Sequence, residues 1–120
     1  MARSLRLLLV EDHVDSAELL AELLENQGHI VSIATSVADA LALASEKPFD
    51  VVVSDVGLPD ASGYELMEQI RERYSMKGIA VSGSNRPTDF ERGRAAGFSM
   101  HLTKPVSLRK LEAALEQVAG

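Results

Sequence analysis

The chain contains no cysteine and no tryptophan, three phenylalanines and two tyrosines, and only 12 lysines and arginines against 18 aspartates and glutamates. Each shortage excludes something. Without cysteine there is no disulfide framework, no thiolate metal site and no thiol nucleophile. A formal net charge of −6 lacks the basic footprint of direct nucleic-acid binding. An aromatic content of 4% leaves few platforms for stacked bases. No apolar run is long enough to cross a bilayer, and no charged-then-apolar signal pattern opens the sequence, so no membrane contact is expected of this domain. A reducing, cytoplasmic setting fits these absences.

What is present suits one folded domain over residues 1–120. The hydrophobic fraction of 46% and charged fraction of 25% are ordinary for a globular protein with a real core. Short apolar runs alternate with amphipathic stretches five times. "LRLLLV" (Leu5 to Val10) reads as a buried strand, and Val14 to Asn26 as a Leu-rich core helix stopped by Gly28. "HIVSIA" (His29 to Ala34) alternates like a strand. Ser36 then caps a helix with Val37, Ala40, Leu41 and Ala44 at helical spacing. "FDVVVSD" is a third strand, and Tyr64 to Arg73 a helix with Leu66, Met67 and Ile70 inward. "GIAVSGS" is a fourth strand. Thr88 to Gly97 is the weakest helix, with little apolar surface beyond Phe90, Ala95 and Ala96. "FSMHL" (Phe98 to Leu102) is the fifth strand, and Ser107 caps a last helix carrying Leu108, Leu111, Leu115 and Val118. Such alternation implies right-handed crossovers and a parallel sheet covered on both faces.

In an open sheet of this kind the ligand site lies beyond the carboxyl ends of the strands. Asp55 ends the third strand and is followed by the loop formers Gly57, Pro59, Asp60, Ser62 and Gly63. Glu11 and Asp12 follow the first strand, Ser82 ends the fourth, and Lys104 with Pro105 follows the fifth. Three crowded carboxylates need a proton or a cation at neutral pH. An all-oxygen site suits Mg²⁺, which shares its shell with water and phosphate. Lys104 adds a point charge for phosphoryl oxygens and Ser82 a neutral donor. A nucleophile, charge neutralisation and positioning are what phosphoryl transfer requires.

Together, "VED", "SDVGLPDASGYEL", "VSGS" and "HLTKP" resemble the receiver domain of two-component response regulators, in order and spacing, across essentially the whole chain. The resemblance implies a flavodoxin-like (βα)5 fold with strand order 2-1-3-4-5. It implies that Asp55 accepts a phosphoryl group from a phosphohistidine on a histidine kinase or histidine phosphotransfer domain. Mg²⁺ would be held by Asp12, Asp55 and the backbone carbonyl of Gly57, with Glu11 acting mainly through water. Ser82 and Lys104 would grip phosphoryl oxygens, and the Lys104–Pro105 bond would be cis. "AAGFSMHLTKPV" further resembles receivers fused to hybrid sensor histidine kinases.

Several residues depart from the commonest pattern. Glu11 stands where aspartate is frequent, Leu58 where methionine is usual, and Ser82 where threonine is common. Gly57 offers no side chain to shield or activate a hydrolytic water. His101 occupies the place of a switching Tyr or Phe, and is either a satisfied half-buried side chain or a conformational reporter. His13 reads as an exposed first-turn residue, His29 as a plain loop-to-strand residue, and Arg92 and Arg94 as a solvated face. A haloacid-dehalogenase-type hydrolase would need an acid where Gly57 stands. A flavin module would need a phosphate-cradling loop instead of "EDHVD", and a P-loop enzyme would need GxxxxGK[ST]. The alternative reading is a phosphorylation-independent pseudo-receiver that docks proteins. The intact set Asp12, Asp55, Ser82 and Lys104 weighs against it. The expected switch runs from Ser82 to the fourth helix and fifth strand, where His101 lies.

Overall fold

A computed structural model describes residues 4–84 and 86–119; the remaining positions of the expected 1–120 domain lie outside the described residues. Strands and helices alternate: β1 (Arg6–Val10), α1 (Val14–Asn26), β2 (Ile30–Ala34), α2 (Val37–Glu46), β3 (Val51–Asp55), α3 (Gly63–Arg73), β4 (Lys77–Ser82), α4 (Pro87–Ala96), β5 (Met100–Thr103) and α5 (Leu108–Ala119). All four strand pairings are parallel, and the sheet order is β2-β1-β3-β4-β5. This is the expected doubly wound, flavodoxin-like arrangement. From β1 the chain first winds outward to β2 and then crosses to β3 on the other side. A crevice therefore opens where β1 and β3 end side by side.

The apolar runs of β1 and β3 serve two cores, because successive side chains point to opposite sheet faces. Leu8, Val10 and Val52 face a cluster with Ala40, Leu66, Met67 and Ile70 from α2 and α3. Leu7, Leu9, Val51 and Val53 face the other, with Ala17 and Leu24 of α1 and Leu111 and Leu115 of α5. Each fully buried Leu or Val contributes about 1.5–3 kcal/mol, so the strands that carry the site are also the most firmly held.

Boundaries differ from the sequence reading in instructive places. The fifth strand starts at Met100 rather than Phe98. Gly97 (φ 116°) ends α4 in the left-handed region, and the Phe98 N–H donates to the Gly93 carbonyl at 3.0 Å. Phe98 thus closes the helix terminus before the strand can begin. The α3 helix starts at Gly63, one residue early, where a Cβ would sit 2.2 Å from the Asp55 carbonyl oxygen. Glycine there lets the helix start directly against the end of β3.

Helix α1 is less fully buried than its leucines suggest. Leu24 is enclosed, but Leu19 is 61% and Val14 51% exposed. His13 is the N-cap of α1, not a first-turn residue, and its Nδ1 accepts from the Ser16 N–H at 3.3 Å. His29 is no plain loop residue either. It is buried, its Nδ1 accepts from the Leu5 N–H at 3.1 Å, and its Nε2 lies 2.9 Å from a Glu112 oxygen.

Candidate functional site

At the crevice the backbone aims three acids at one another. Glu11 leaves β1 with its N–H bonded to the Ala34 carbonyl (3.0 Å). Its carboxylate accepts from the His13 N–H at 3.0 Å, which folds the side chain back over the turn. Asp55 ends a strand buried along its whole length and is itself only 7% exposed. One potential ligand atom from each of Glu11, Asp12 and Asp55 lies within 4.8 Å of the others. Asp12 is the exposed member of the three.

Lys104 reaches in from beyond β5. Its N–H donates to the Ser82 carbonyl at 2.8 Å, and the Lys104–Pro105 peptide is cis. The ammonium Nζ lies 2.7 Å from Asp55 Oδ1, 2.9 Å from Asp55 Oδ2 and 3.3 Å from Glu11 Oε2. Ser82 sits at the end of β4, where its hydroxyl accepts from the Ser84 N–H at 3.0 Å. Gly57 forms an isolated bridge with Ser62, and the space above its Cα is open.

The electrostatics are those of a site short of positive charge. Burial pushes the Asp55 carboxyl up to about 7, the hydrogen bond to Glu11 adds to this, and Lys104 opposes it. Burial also raises Glu11. Even so, its hydrogen bonds to Asp55, the His13 N–H and Lys104 hold it below its ordinary value. The two carboxyls therefore titrate as a pair, and burial holds that of Asp55 above its ordinary range. Burial works against the charge of Lys104, yet its carboxylate partners raise its pKa. A hard divalent cation such as Mg²⁺ fits this donor set: the ligands are all oxygen, one is solvent-exposed, and three carboxyls face a single ammonium.

His101 lies away from this cluster, on β5 beneath α4. The Phe90 ring meets it edge-on at 4.6 Å, and among the described residues neither ring nitrogen has a hydrogen-bond partner. Burial pushes its pKa down. The Ser84 backbone and the charge of Asp89 oppose that push more weakly. The sequence reading missed Asp60 as a structural actor. Its two oxygens accept from the Val37 N–H (2.9 Å) and the Ala38 N–H (3.0 Å), a contact across more than 20 residues that no local pattern announces.

An apolar groove of about 720 Å³ runs from Asp55 and Lys104 between α1 and the start of α5, bordered by Leu19, Leu20, Leu23 and Val106. Among the described residues no helix is long and apolar enough to cross a membrane.

Comparison with known proteins agrees with this geometry. The chain is 33% identical over 114 residues to an uncharacterized 14.6 kDa protein of Leptolyngbya boryana, covering 92% of this chain and 87% of that one. It is 36% identical to the virulence sensor protein BvgS of Bordetella bronchiseptica and 35% identical to the sensor histidine kinase AruS of Pseudomonas aeruginosa. Those matches cover 98% and 96% of this chain but only 10% and 12% of the relatives, so the chain spans about a tenth of each sensor protein. Among solved structures, the chemotaxis protein CheY4 of Vibrio cholerae superposes with a TM-score of 0.91 at 27% identity, covering 97% of this chain and 99% of that one. A receiver domain from Methylobacillus flagellatus superposes at 0.85 with 34% identity, covering 96% and 98%. Residues 7–116 match the family model for the response regulator receiver domain. With its strand order, its acid cluster and its lysine reaching the end of β3, the chain belongs to the response regulator receiver family.

Proposed function

We propose that the domain is a phosphorelay switch in which Asp55 accepts a phosphoryl group from a phosphohistidine. The observation that carries this reading is the Asp55 carboxylate at the tip of β3, bonded by Lys104 and clustered with Glu11 and Asp12. An Asp55 oxygen attacks phosphorus, the P–N bond of the phosphoramidate breaks, and the imidazole departs with the bonding pair and takes up a proton. The product is an acyl phosphate. Attack by water at phosphorus returns the carboxylate and inorganic phosphate. Lys104 stabilises charge on the transferring oxygens. Ser82 supplies a hydroxyl donor, since its bond with the Ser84 N–H uses the oxygen only as acceptor. Asp12, Asp55 and the Gly57 carbonyl would hold Mg²⁺, with Glu11 behind them, and the ion would neutralise charge between the carboxylate and the incoming phosphoryl oxygens.

The donor must bring a histidine to a carboxylate at the floor of a rim. The groove beside α1, with exposed Leu19 and Leu23, offers an apolar bed for a helical histidine phosphotransfer or kinase domain. The output is a shift of α4 and β5. Helix α4 buries only Gly93 and Ala96 among its described residues and rests on His101 through Phe90, which favours it as the element that moves.

The test is phosphorylation by a small-molecule phosphodonor with Mg²⁺. A hydroxylamine-labile acyl phosphate should form and be lost in Asp55→Asn, and hydrogen exchange should then change mainly in residues 82–103. Equal labelling in the mutant would refute Asp55 as acceptor. Partner binding without any phosphorylation would favour the pseudo-receiver instead.

A further inference from the structure

We propose that Asp60 is a positioning residue for the phosphoryl-transfer site, clamping the β3–α3 loop to the N-terminus of α2 and so holding Gly57 at the rim beside Glu11 and Asp12. The inference rests on the receiver reading above.

Asp60 lies in the exposed loop between β3 and α3, but its carboxylate is fully engaged. Oδ1 accepts from the Val37 N–H and Oδ2 from the Ala38 N–H. These are the first two residues of α2, whose N–H groups have no partner within the helix. The same two bonds hold the Asp60 carboxyl below its ordinary value.

Helix α2 does not depend on Asp60 for a cap. Ser36 already fills that place, and its hydroxyl accepts from the Asp39 N–H at 3.0 Å. What Asp60 adds is a link between two loops. On one side, the Glu11 N–H is bonded to the Ala34 carbonyl at the end of β2, and Thr35 and Ser36 lead straight into α2. On the other, the Gly57–Ser62 bridge and the Gly63 N–H to Val56 carbonyl bond (2.7 Å) give the β3–α3 loop a fixed internal shape. Asp60 joins the two. The result is a continuous path from Glu11 through β2 and α2 to the segment carrying Gly57. The two walls of the acid crevice are then fixed relative to each other before any cation arrives, and an oxygen site for Mg²⁺ tolerates little error in ligand placement.

Three variants separate a clamp from a mere cap. Asp60→Ala should speed amide exchange of residues 57–62 in the metal-free protein by roughly tenfold. It should weaken Mg²⁺ affinity, read by amide-shift titration, by about tenfold. The phosphorylation rate at saturating Mg²⁺ should stay near wild type, because the ion, once bound, meets the same ligands. Asp60→Asn keeps one acceptor and should fall between. Ser36→Ala removes the local cap but not the clamp, and should lower helix stability while leaving Mg²⁺ affinity at the wild-type value. Wild-type Mg²⁺ affinity in Asp60→Ala, or an equal loss in Ser36→Ala, would overturn the proposal. If the unaltered protein binds no Mg²⁺, the phosphorelay reading falls and this inference with it. If it binds Mg²⁺ and Asp60→Ala binds as well, only the clamp is wrong.

Discussion

The two ends of the sheet treat charge in opposite ways. At the amino ends of the strands, Arg6 and the buried His29 each have a carboxylate partner. The Arg6 guanidinium lies 3.0 Å and 3.3 Å from the two oxygens of Asp50, which also accepts from the Arg6 N–H at 2.7 Å. His29 takes the Leu5 N–H on Nδ1, so its proton resides on Nε2 and is donated to Glu112. At the carboxyl ends, Glu11, Asp12 and Asp55 crowd around the ammonium of Lys104. One end is closed and holds the fold. The other is left short of positive charge, which is the condition for taking up a cation and a phosphoryl group.

The largest effect should come from removing the cation at the unmatched end. Lys104→Ala should slow phosphorylation by a small-molecule donor at saturating Mg²⁺ by about 100-fold, as for the loss of one charge-stabilising donor in a transition state. Lys104→Arg keeps the charge but not the compact ammonium, and should recover only part of the rate. Initial rates of acyl-phosphate formation give the answer. A loss below about threefold would mean that Lys104 only balances the acids in the resting state.

At the matched end the same kind of substitution should cost stability and nothing else. His29→Ala leaves the buried Leu5 N–H and the Glu112 carboxylate without a partner and opens a cavity, for a loss of about 2–4 kcal/mol. Urea titration measures it. The phosphorylation rate of the folded fraction should not change. A fall in rate as large as that in Lys104→Ala would mean that the two ends are coupled through the sheet.

This contrast was only half visible in the sequence. Asp55, Glu11, Asp12 and Lys104 follow apolar runs, so the parallel-sheet pattern by itself sends them to one rim. Alternation implies the parallel sheet, and the resemblance implies its strand order. His29 was misread because its partners, Leu5 and Glu112, lie 24 and 83 residues away, and nothing around "GHIV" marks a buried imidazole. Asp60 failed for the same reason: beside Pro59 it looks like a turn residue, and only the fold brings α2 to it. The Leu-rich repeat of α1 gave a correct helix but overstated its burial. Periodicity sets which residues share a face, not how much of that face a neighbour covers. The start of β5 went astray because Phe98 has the composition of a strand residue while its N–H serves the terminus of α4.

The smallest effect is the sharpest test of the contrast, because its sign is unusual. In the folded, metal-free protein Asp55 holds its proton up to about 7, against an ordinary value of 3.8. The folded state thus binds more protons than the unfolded chain between those limits. Stability should therefore fall as pH rises through that window, and the full penalty should be present above it. Asp55 shares its charge with Glu11 and with the part-exposed Lys104, so the loss should be about 1–2 kcal/mol rather than the whole of the shift. Glu11 does not obscure this, since its lowered pKa acts only in more acidic solution. His101 does oppose it: with its pKa pushed down by burial, it adds stability as pH rises towards its ordinary value of 6.5. The comparison that isolates Asp55 is therefore wild type against Asp55→Asn, each unfolded in urea at about pH 5 and about pH 8. Without metal, Asp55→Asn should be the more stable protein at the higher pH, with the gap closing at the lower. Saturating Mg²⁺ should reverse the order, because only the charged cluster binds it tightly. If Asp55→Asn is no more stable than wild type at the higher pH without metal, the carboxyl rim is as well matched as the amino rim and the contrast between them fails.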